Sequence, residues 1–161
     1  MKGESFIKES EKVDYKKLAT VLTITVFGEA SICEEEERRW ICSVFLNRLE
    51  QPYFFADDKT DDIRSIAEGF HAWTRPNVRI LNTFDREKFL QISKEVHEEI
   101  EKWRYGSRHT DATFYITKEA LKANAGKTGK QIFKSYFDLE EVLAPESFLH
   151  TFYRITDLEE V

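Results

Sequence analysis

The amino-acid sequence predicts a mostly helical α+β fold with a small β-sheet late in the chain. As far as residue 105, apolar residues recur at intervals of three and four, which is the period of an amphipathic helix. After Gly106 the pattern changes, and two segments rich in β-branched and aromatic residues are typical of strands. The 161 residues are 41% hydrophobic and include 13 Phe, which is enough apolar material to fill one core.

The first two predicted helices lie near the start of the chain. One spans about Asp14 to Ala30, with its apolar residues on one face. The second is expected to begin at a capping box made by Ser31 and Glu34, and Pro52 prevents it from running much further. Its buried stripe is predicted to consist of Ile41, Val44, Phe45 and Leu49.

The middle of the chain is predicted to be less regular, apart from one long helix. We expect a loop over Gln51 to Thr60, a short helix over Asp61 to Glu68 and irregular chain over Thr74 to Asn82. The long helix is predicted over Asp85 to Tyr105, before Gly106. Its apolar stripe consists of Phe89, Ile92, Val96, Ile100 and Trp103.

Two strands are predicted in the last third of the chain, over Ala112 to Ile116 and over Thr151 to Ile155. Between them we expect a short helix near Lys118 to Asn124 and a loop around Gly126 and Gly129. The sheet is therefore expected to be small.

No repeat, low-complexity tract or Pro/Gly-rich linker divides the sequence. We therefore predict a polar leader over residues 1–12 and a single catalytic domain over residues 13–161. The longest apolar run, Leu18 to Phe27, is about half the length that a membrane span needs, so no membrane insertion is expected. The first residues lack the apolar segment of a secretory signal, so no signal peptide is predicted.

The charge balance restricts the partners that the protein can bind. Asp and Glu total 30 against 24 Lys and Arg, which gives a formal net charge of −6. Such a chain repels phosphate backbones and anionic membranes unless its cations are clustered, so we expect no nucleic-acid partner. Cys33 and Cys42 are too few for a disulfide framework, and we expect both to be buried and reduced.

Glu29 is the first candidate for chemistry, because it ends an otherwise apolar predicted helix. An apolar surrounding and the negative end of a helix dipole both favour the protonated form of a carboxyl group. A carboxylic acid that keeps its proton near neutral pH is what general acid catalysis on a glycosidic oxygen requires. An ordinary surface glutamate at a helix end fits the same spacing, so both interpretations stay open here.

Asn47 and Arg48 close the second predicted helix, and they are candidates for binding a substrate amide or for orienting Glu29. A solvated helix end with a favourably placed cation explains the pair equally well. Aromatic residues outside the helical stripes are candidates for stacking on sugar faces. They are Tyr53, Phe54, Phe55, Trp73, Tyr115 and Tyr153.

Several short segments together carry a family resemblance. Phe27-Gly-Glu-Ala30 is followed by ICSVFLNRL over residues 41–49, and then by Gly69-Phe-His-Ala-Trp73. Asp111-Ala-Thr-Phe-Tyr115 and His150-Thr-Phe-Tyr-Arg154 complete the series. In this order the segments resemble the cell wall hydrolase family that includes the spore-cortex-lytic enzymes. That family has a Tyr-Gly-Glu-Ala motif, an AVAAVILNRV helix, a Gln-Phe-Ser segment and two later strands with Gly-Ala-Thr-His and His-x-Phe patterns.

The resemblance implies a lysozyme-like fold, a glycan groove and a single catalytic glutamate, which by position is Glu29. It further implies that the partner is the peptidoglycan glycan strand, cut at the MurNAc–GlcNAc β-1,4 bond, with no cofactor. The candidate groove or supporting residues are Asn47, His71, Trp73, Thr113, Tyr115, His150 and Tyr153. The chain departs from the family after Glu29, where Ala-Ser-Ile-Cys-Glu34 replaces Ala-Arg-Gly-Glu, and near Phe70, where the usual Gln is missing.

The number of carboxylates bears on the reaction. A glycoside hydrolase normally needs a second acid, and here only Glu34, Asp57 and Asp61 lie where one could approach. Muramic acid can supply its own nucleophile, because its C6 hydroxyl can close onto C1. One glutamate then suffices, and the resemblance likewise implies a lytic transglycosylase.

Three alternatives stay open. His71, His109, Asp111 and His150 are a candidate zinc set of a peptidoglycan amidase or peptidase, but their spacing matches no compact metal motif, so we expect no metal. A catalytically inactive glycan-binding or phage structural protein, or an unrelated helical adaptor, fits as well. The absence of a signal peptide, a wall-binding module and a basic patch favours a monomeric phage endolysin or virion protein that acts on the bacterial wall.

Overall fold

The chain changes character at residue 110, where helices give way to strands. The structure, a computed structural model, describes residues 13–56, 61–74 and 85–156. The chain divides into two compact units, residues 1–110 (unit 1) and 111–161 (unit 2). Helices together with a three-stranded antiparallel sheet confirm the mostly helical α+β class. The expected leader over residues 1–12 lies outside the described residues, and the single domain stays a prediction.

The regular secondary structure in the described part of unit 1 consists of helices. Its helices are α1 (Tyr15–Ala30), α2 (Glu35–Leu49), α3 (Pro52–Phe55), α4 (Asp62–Glu68), α5 (His71–Thr74) and α6 (Arg86–Arg104). The helices α1 and α6 begin where aspartates cap them: the side chains of Asp14 and Asp85 each accept a backbone hydrogen bond of 3.0 Å. The chain leaves α6 through Gly106, whose φ of +85° is a conformation that favours glycine.

The core of unit 1 lies where α1, α2 and α6 pack against one another. Val21 and Phe89 are half-buried at the edges of the predicted stripes. The fully buried stripe residues confirm the helical periods. They are Leu18, Leu22, Val26, Ile41, Val44, Phe45, Leu49, Ile92, Val96, Ile100 and Trp103.

Two helix predictions in unit 1 are wrong in detail. The helix α2 does not begin at a Ser31 capping box, because Glu34 is its N-cap and makes no side-chain capping bond. The acidic first turn, Glu35 to Glu37, instead favours this start through the helix dipole. The expected loop over Gln51 to Thr60 contains α3, because Pro52 is well suited to the first turn of a helix. The predicted irregular segment over Thr74 to Asn82 lies outside the described residues apart from Thr74.

Unit 2 contains β1 (Phe114–Thr117), α7 (Lys118–Lys122), α8 (Gly129–Phe133), β2 (Leu139–Val142) and β3 (His150–Ile155). The strand order is β1-β3-β2, with β3 antiparallel to both neighbours. The two predicted strands and the short helix are confirmed, whereas β2 and α8 were not expected. A capping box made by Thr128 and Gln131 begins α8 inside the segment predicted to be a loop.

The described part of the chain has no helix that is both long and apolar enough to cross a bilayer.

Candidate active site

Glu29 lies in the last turn of α1, half-buried, and its carboxyl group contacts α5. Its Oε2 accepts a hydrogen bond of 3.1 Å from the backbone N–H of Ala72. The first N–H groups of a helix have no partner within the helix, and Ala72 is the second residue of α5. Glu29 therefore provides a hydrogen-bond acceptor for a backbone N–H in the first turn of α5. The same hydrogen bond fixes the position of one oxygen of the carboxyl group.

Trp73, the next residue of α5, makes a second contact with α1. Its indole N–H donates to Oγ1 of Thr25 over 2.6 Å, and the Thr25 hydroxyl donates to the Val21 carbonyl over 2.8 Å. Thr25 lies four residues before Glu29 and so on the same face of α1. Trp73 still has 38% of its surface exposed. The helix α5 is thus held to α1 at two points one turn apart, with an aromatic ring partly open to solvent.

Phe70 fixes the chain just before α5. Its buried ring stacks on Phe45 of α2, with the centroids 5.5 Å apart and the planes 16° from parallel. The guanidinium carbon of Arg48 lies 4.7 Å from the centroid of Phe70 and 5.3 Å from that of Phe55. Arg48, a candidate orienting residue in the sequence, therefore contacts the residue that precedes α5, the helix whose Ala72 binds Glu29.

Asn47 is buried and holds the chain that follows α6. Its Nδ2 donates to the carbonyl of Thr110 over 2.8 Å, and its Oδ1 accepts from Nη1 of Arg108 over 2.7 Å. Arg108 also forms a two-point ion pair with Glu50. The structure therefore gives Asn47 a supporting position inside unit 1, and its contact with a substrate stays a prediction.

The other predicted site residues are His71, at the first position of α5, and four residues of unit 2. The rings of Tyr115 and His150 meet edge to face, 5.1 Å apart, on one face of the sheet. Tyr153 lies on the opposite face, because side chains alternate along β3, and its ring is 5.3 Å from Phe133 of α8. The backbone N–H of Thr113 donates to the Tyr153 carbonyl over 2.9 Å. The sheet thus brings Tyr115 and His150 together and separates them from Tyr153.

One candidate second acid, Asp61, is bound at the far end of α1 from Glu29. Asp61 accepts hydrogen bonds of 2.8 Å from Lys17 at the start of α1, and this contact holds the pKa of Asp61 below its ordinary value. Lys17 precedes Glu29 by twelve residues, which is about 18 Å along a helix. Glu34 is exposed at the start of α2, and Asp57 lies outside the described residues.

A buried charge network between α2 and α6 was not predicted. Arg38 binds Glu95 through two hydrogen bonds of 2.8 and 2.6 Å. Arg39 donates to Glu99 over 2.7 Å, and Nε2 of His109 lies 2.9 Å from the same carboxyl group. The sequence signal was available: Glu95 and Glu99 are four residues apart, beside the apolar stripe of α6.

Two members of the candidate zinc set make ion pairs inside their own units. His109 is placed against Glu99 in unit 1. Asp111 lies 3.1 Å from Arg154 in unit 2. Each of these contacts gives the residue a partner that does not depend on a metal ion.

Comparison of the chain with protein-family models, with curated proteins and with solved structures finds no match. The resemblance carried by the short segments therefore stays a hypothesis, and the arguments below depend on the geometry around Glu29.

Proposed function

We propose that the protein is a lytic transglycosylase that cuts the MurNAc–GlcNAc β-1,4 bond of peptidoglycan, with Glu29 as general acid and base. The observation that carries the proposal is the arrangement of Glu29 and α5. The Ala72 N–H holds the carboxyl group, and the adjacent Trp73 offers a partly exposed ring. A positioned carboxyl group next to an aromatic surface is suited to cleaving a sugar polymer. The lysozyme-like fold that the resemblance implies belongs to the same proposal.

The reaction uses one carboxyl group twice. Glu29 gives its proton to the bridging oxygen, and the bond between that oxygen and C1 of muramic acid breaks. The carboxylate then takes the proton of the C6 hydroxyl, whose oxygen forms a bond to C1. The products are a 1,6-anhydromuramic end and a GlcNAc with a free 4-hydroxyl group. Glu29 is protonated again, and no water is consumed.

The hydrogen bond from Ala72 supports different proposed roles for the two oxygens of Glu29. In a protonated carboxyl group, the oxygen that accepts an N–H is the carbonyl oxygen, so Oε1 carries the proton that is transferred. After the transfer, the same N–H stabilises the negative carboxylate. The contact therefore assists the second step, in which Glu29 is a carboxylate.

The position of Asp61 removes one of the three candidate second acids, which is consistent with transglycosylation. Hydrolysis needs a second carboxylate near the sugar, as nucleophile or as the base that activates water. Asp61 is held by Lys17 at the far end of α1 from Glu29. An internal nucleophile supplied by the substrate removes this requirement.

The test is digestion of purified cell walls by the wild type and by E29Q, followed by mass spectrometry of the muropeptides. The wild type is expected to release ends that lack one water relative to a reducing end. E29Q keeps the shape but has no proton to give, so its rate is expected to fall by about 10²- to 10⁴-fold. E101Q removes the same charge from an exposed position of α6 and is expected to retain the full rate.

Four results would overturn the proposal. Comparable rates for E29Q and the wild type would remove Glu29 from the chemistry. Free reducing ends would identify hydrolysis, and activity that a chelator abolishes would identify a metal enzyme. A wild type that sediments with walls but releases no muropeptides would identify a glycan-binding protein.

A further inference from the structure

Unit 2 contains a segment whose charge is opposite to that of the rest of the chain. Residues 118–134, here called the lysine segment, hold five Lys and one acid, Glu119, for a formal charge of +4. The whole chain carries −6, so the remaining residues carry −10. The sequence interpretation, which found no basic patch, is incomplete at this point.

The fold turns the lysine segment toward solvent. The helix α8 packs its apolar side on the sheet, with Phe133 5.0 Å from Phe114 and 5.3 Å from Tyr153. A side chain at Gly129 would lie 3.1 Å from Leu139, so the close approach of α8 to β2 depends on this glycine. Four lysines are exposed, two of them before α8, one within it and one at its C-cap. They are Lys122, Lys127, Lys130 and Lys134.

Carboxylates do little to neutralise the lysine segment. Among the described residues, Lys130 alone in the segment has a carboxylate partner, the exposed Asp138 at 3.7 Å. Lys118 donates to a backbone carbonyl and Lys127 to an amide oxygen. Lys118 and Lys122 also lie four residues apart on one face of α7, a spacing at which like charges destabilise a helix. The fold thus keeps a repulsive arrangement of charges at its surface.

Four arginines of the described chain are paired, whereas Lys16 and Lys94 of unit 1 are single exposed lysines. Arg38, Arg39, Arg108 and Arg154 all form ion pairs with carboxylates. The chain has more acidic than basic residues, yet among the described residues only Asp138 forms an ion pair with the lysine segment. The lysine segment differs from both the arginines and the single lysines in placing five lysines within 17 residues, and an external anion would neutralise this concentration of charge.

We propose that the lysine segment is a docking surface for a flexible polyanion with a phosphodiester backbone, of the polyol-phosphate kind found on bacterial walls. Ammonium groups are compact charges that bind phosphate without the planar two-point geometry that arginine provides. The segment has no arginine, and its one aromatic residue, Phe133, packs on the sheet. It therefore supplies positive charge, but no aromatic ring on which a nucleic-acid base could stack. It also has no guanidinium group that could form two hydrogen bonds with the edge of a base.

A flexible polymer fits this surface better than a nucleic-acid duplex does. A duplex is rigid and carries one charge per about 1.7 Å of its axis. A flexible chain can instead adapt its shape to a few closely spaced ammonium groups. The choice of a wall polymer rests in part on the proposed function, whereas the binding test below does not depend on catalysis.

The test measures binding of soluble poly(glycerol phosphate) at several salt concentrations. K122Q/K134Q removes two exposed charges from the segment, and K16Q/K94Q removes two exposed charges from unit 1 as a matched control. Binding by the wild type is expected to weaken linearly on a double-logarithmic salt plot, and K122Q/K134Q is expected to lower that slope by about 1.4. We expect affinity at low salt to fall at least about fivefold in K122Q/K134Q and to stay unchanged in K16Q/K94Q.

The proposal is overturned if the wild type does not bind at low salt, or if both double variants lose affinity equally. It is also overturned if polyglutamate or a DNA duplex binds more tightly than poly(glycerol phosphate). E29Q is expected to bind the polymer normally. Conversely, K122Q/K134Q is expected to cut glycan strands stripped of phosphate polymers at the wild-type rate, so failure of one proposal is distinguishable from failure of the other.

Discussion

Arg38 of α2 and Glu95 of α6 form a two-point ion pair that is almost fully shielded from solvent, with 7% and 1% of the side chains exposed. Further hydrogen bonds complete the site, because Arg38 donates to the carbonyl of Cys33 over 2.5 Å and Gln91 donates to Glu95 over 3.1 Å. Buried charges are tolerated when partners of this kind replace water. The pair therefore fixes how α2 and α6 lie against each other.

Glu95→Ala is expected to lower the free energy of unfolding by about 3–5 kcal/mol, because it leaves the buried Arg38 charge uncompensated. Urea denaturation followed by circular dichroism measures this. Glu98→Ala removes the exposed partner of Arg39 and is expected to have a much smaller effect. The double variant R38M/E95L is expected to be more stable than R38M alone or E95L alone, because no buried charge is left without a partner. A double variant that is less stable than both single variants would contradict this explanation.

The same pair predicts how stability depends on acid. Burial alone would raise the pKa of Glu95, but the hydrogen bonds from Arg38 and Gln91 hold it below the ordinary value of 4.5. A carboxyl group with a lowered pKa in the folded state stabilises the fold above its unfolded pKa, and this contribution is lost as the pH falls through the folded value. The melting temperature of the wild type is therefore expected to fall below about pH 4.5. E95Q is expected to be less stable at neutral pH and to show a shallower decline, and parallel curves would contradict this assignment.

The helix α1, which carries Glu29, and the helix α6 could be predicted because their signals are local. The helix α1 has an aspartate cap and a repeating apolar stripe, and α6 has both features and ends before Gly106. The elements β2 and α8 were missed because their sequences resemble loops, and α8 begins at Gly129 within a segment rich in Gly and Lys. Two of the four residues of β2, Glu140 and Glu141, are also exposed charges, which masks the strand signal.

The candidate site could be predicted only in part. The position of Glu29 at the end of α1 follows from the sequence, whereas its bond to Ala72 joins residues 43 positions apart. Periodicity gives the face of each helix but not which distant element covers it. The expected role of Asn47 at the substrate illustrates the same limit, because its partners Arg108 and Thr110 are more than 60 positions away.

Thr25→Val is expected to loosen α5 from α1, because the indole N–H of Trp73 loses its acceptor while the shape of the side chain is kept. Trp40 and Trp103 are buried, so quenching of tryptophan fluorescence by acrylamide reports mainly on Trp73. Quenching is expected to increase in T25V, and wall cleavage is expected to slow. The matched control is T20V, whose lost hydroxyl bonds only its own helix backbone at an exposed site. Equal quenching in the two variants would show that the indole contact does not hold α5.

Both cysteines are expected to be unreactive in the folded protein. Burial, with Glu37 adding to it, raises the pKa of Cys33 to about 12, and burial also raises the pKa of Cys42. Thiol reagents attack the thiolate, so modification at pH 8 is expected to be slow in buffer and complete in urea. Counting modified thiols by mass spectrometry measures this, with C33S and C42S assigning each site. Rapid modification of either thiol before unfolding would contradict it.

Arg48→Met is expected to impair cleavage by displacing α5 rather than by removing a group that touches substrate. Arg48 covers one face of Phe70, and Phe70 precedes the helix whose Ala72 holds Glu29. Loss of the cation–π contact costs about 0.5–2 kcal/mol of stability, and the turnover number on soluble glycan strands is expected to fall more than KM rises. R48K keeps the charge and is expected to restore part of the activity.

The chain provides a matched control for this variant. Arg104 lies 4.5 Å from the ring centroid of Tyr15, at the opposite end of α1 from Glu29. R104M therefore removes a contact of the same kind and is expected to reduce stability by a similar amount, with the turnover number unchanged. If the two variants lose turnover equally at matched stability, Arg48 acts through the fold as a whole and not through the placement of Glu29.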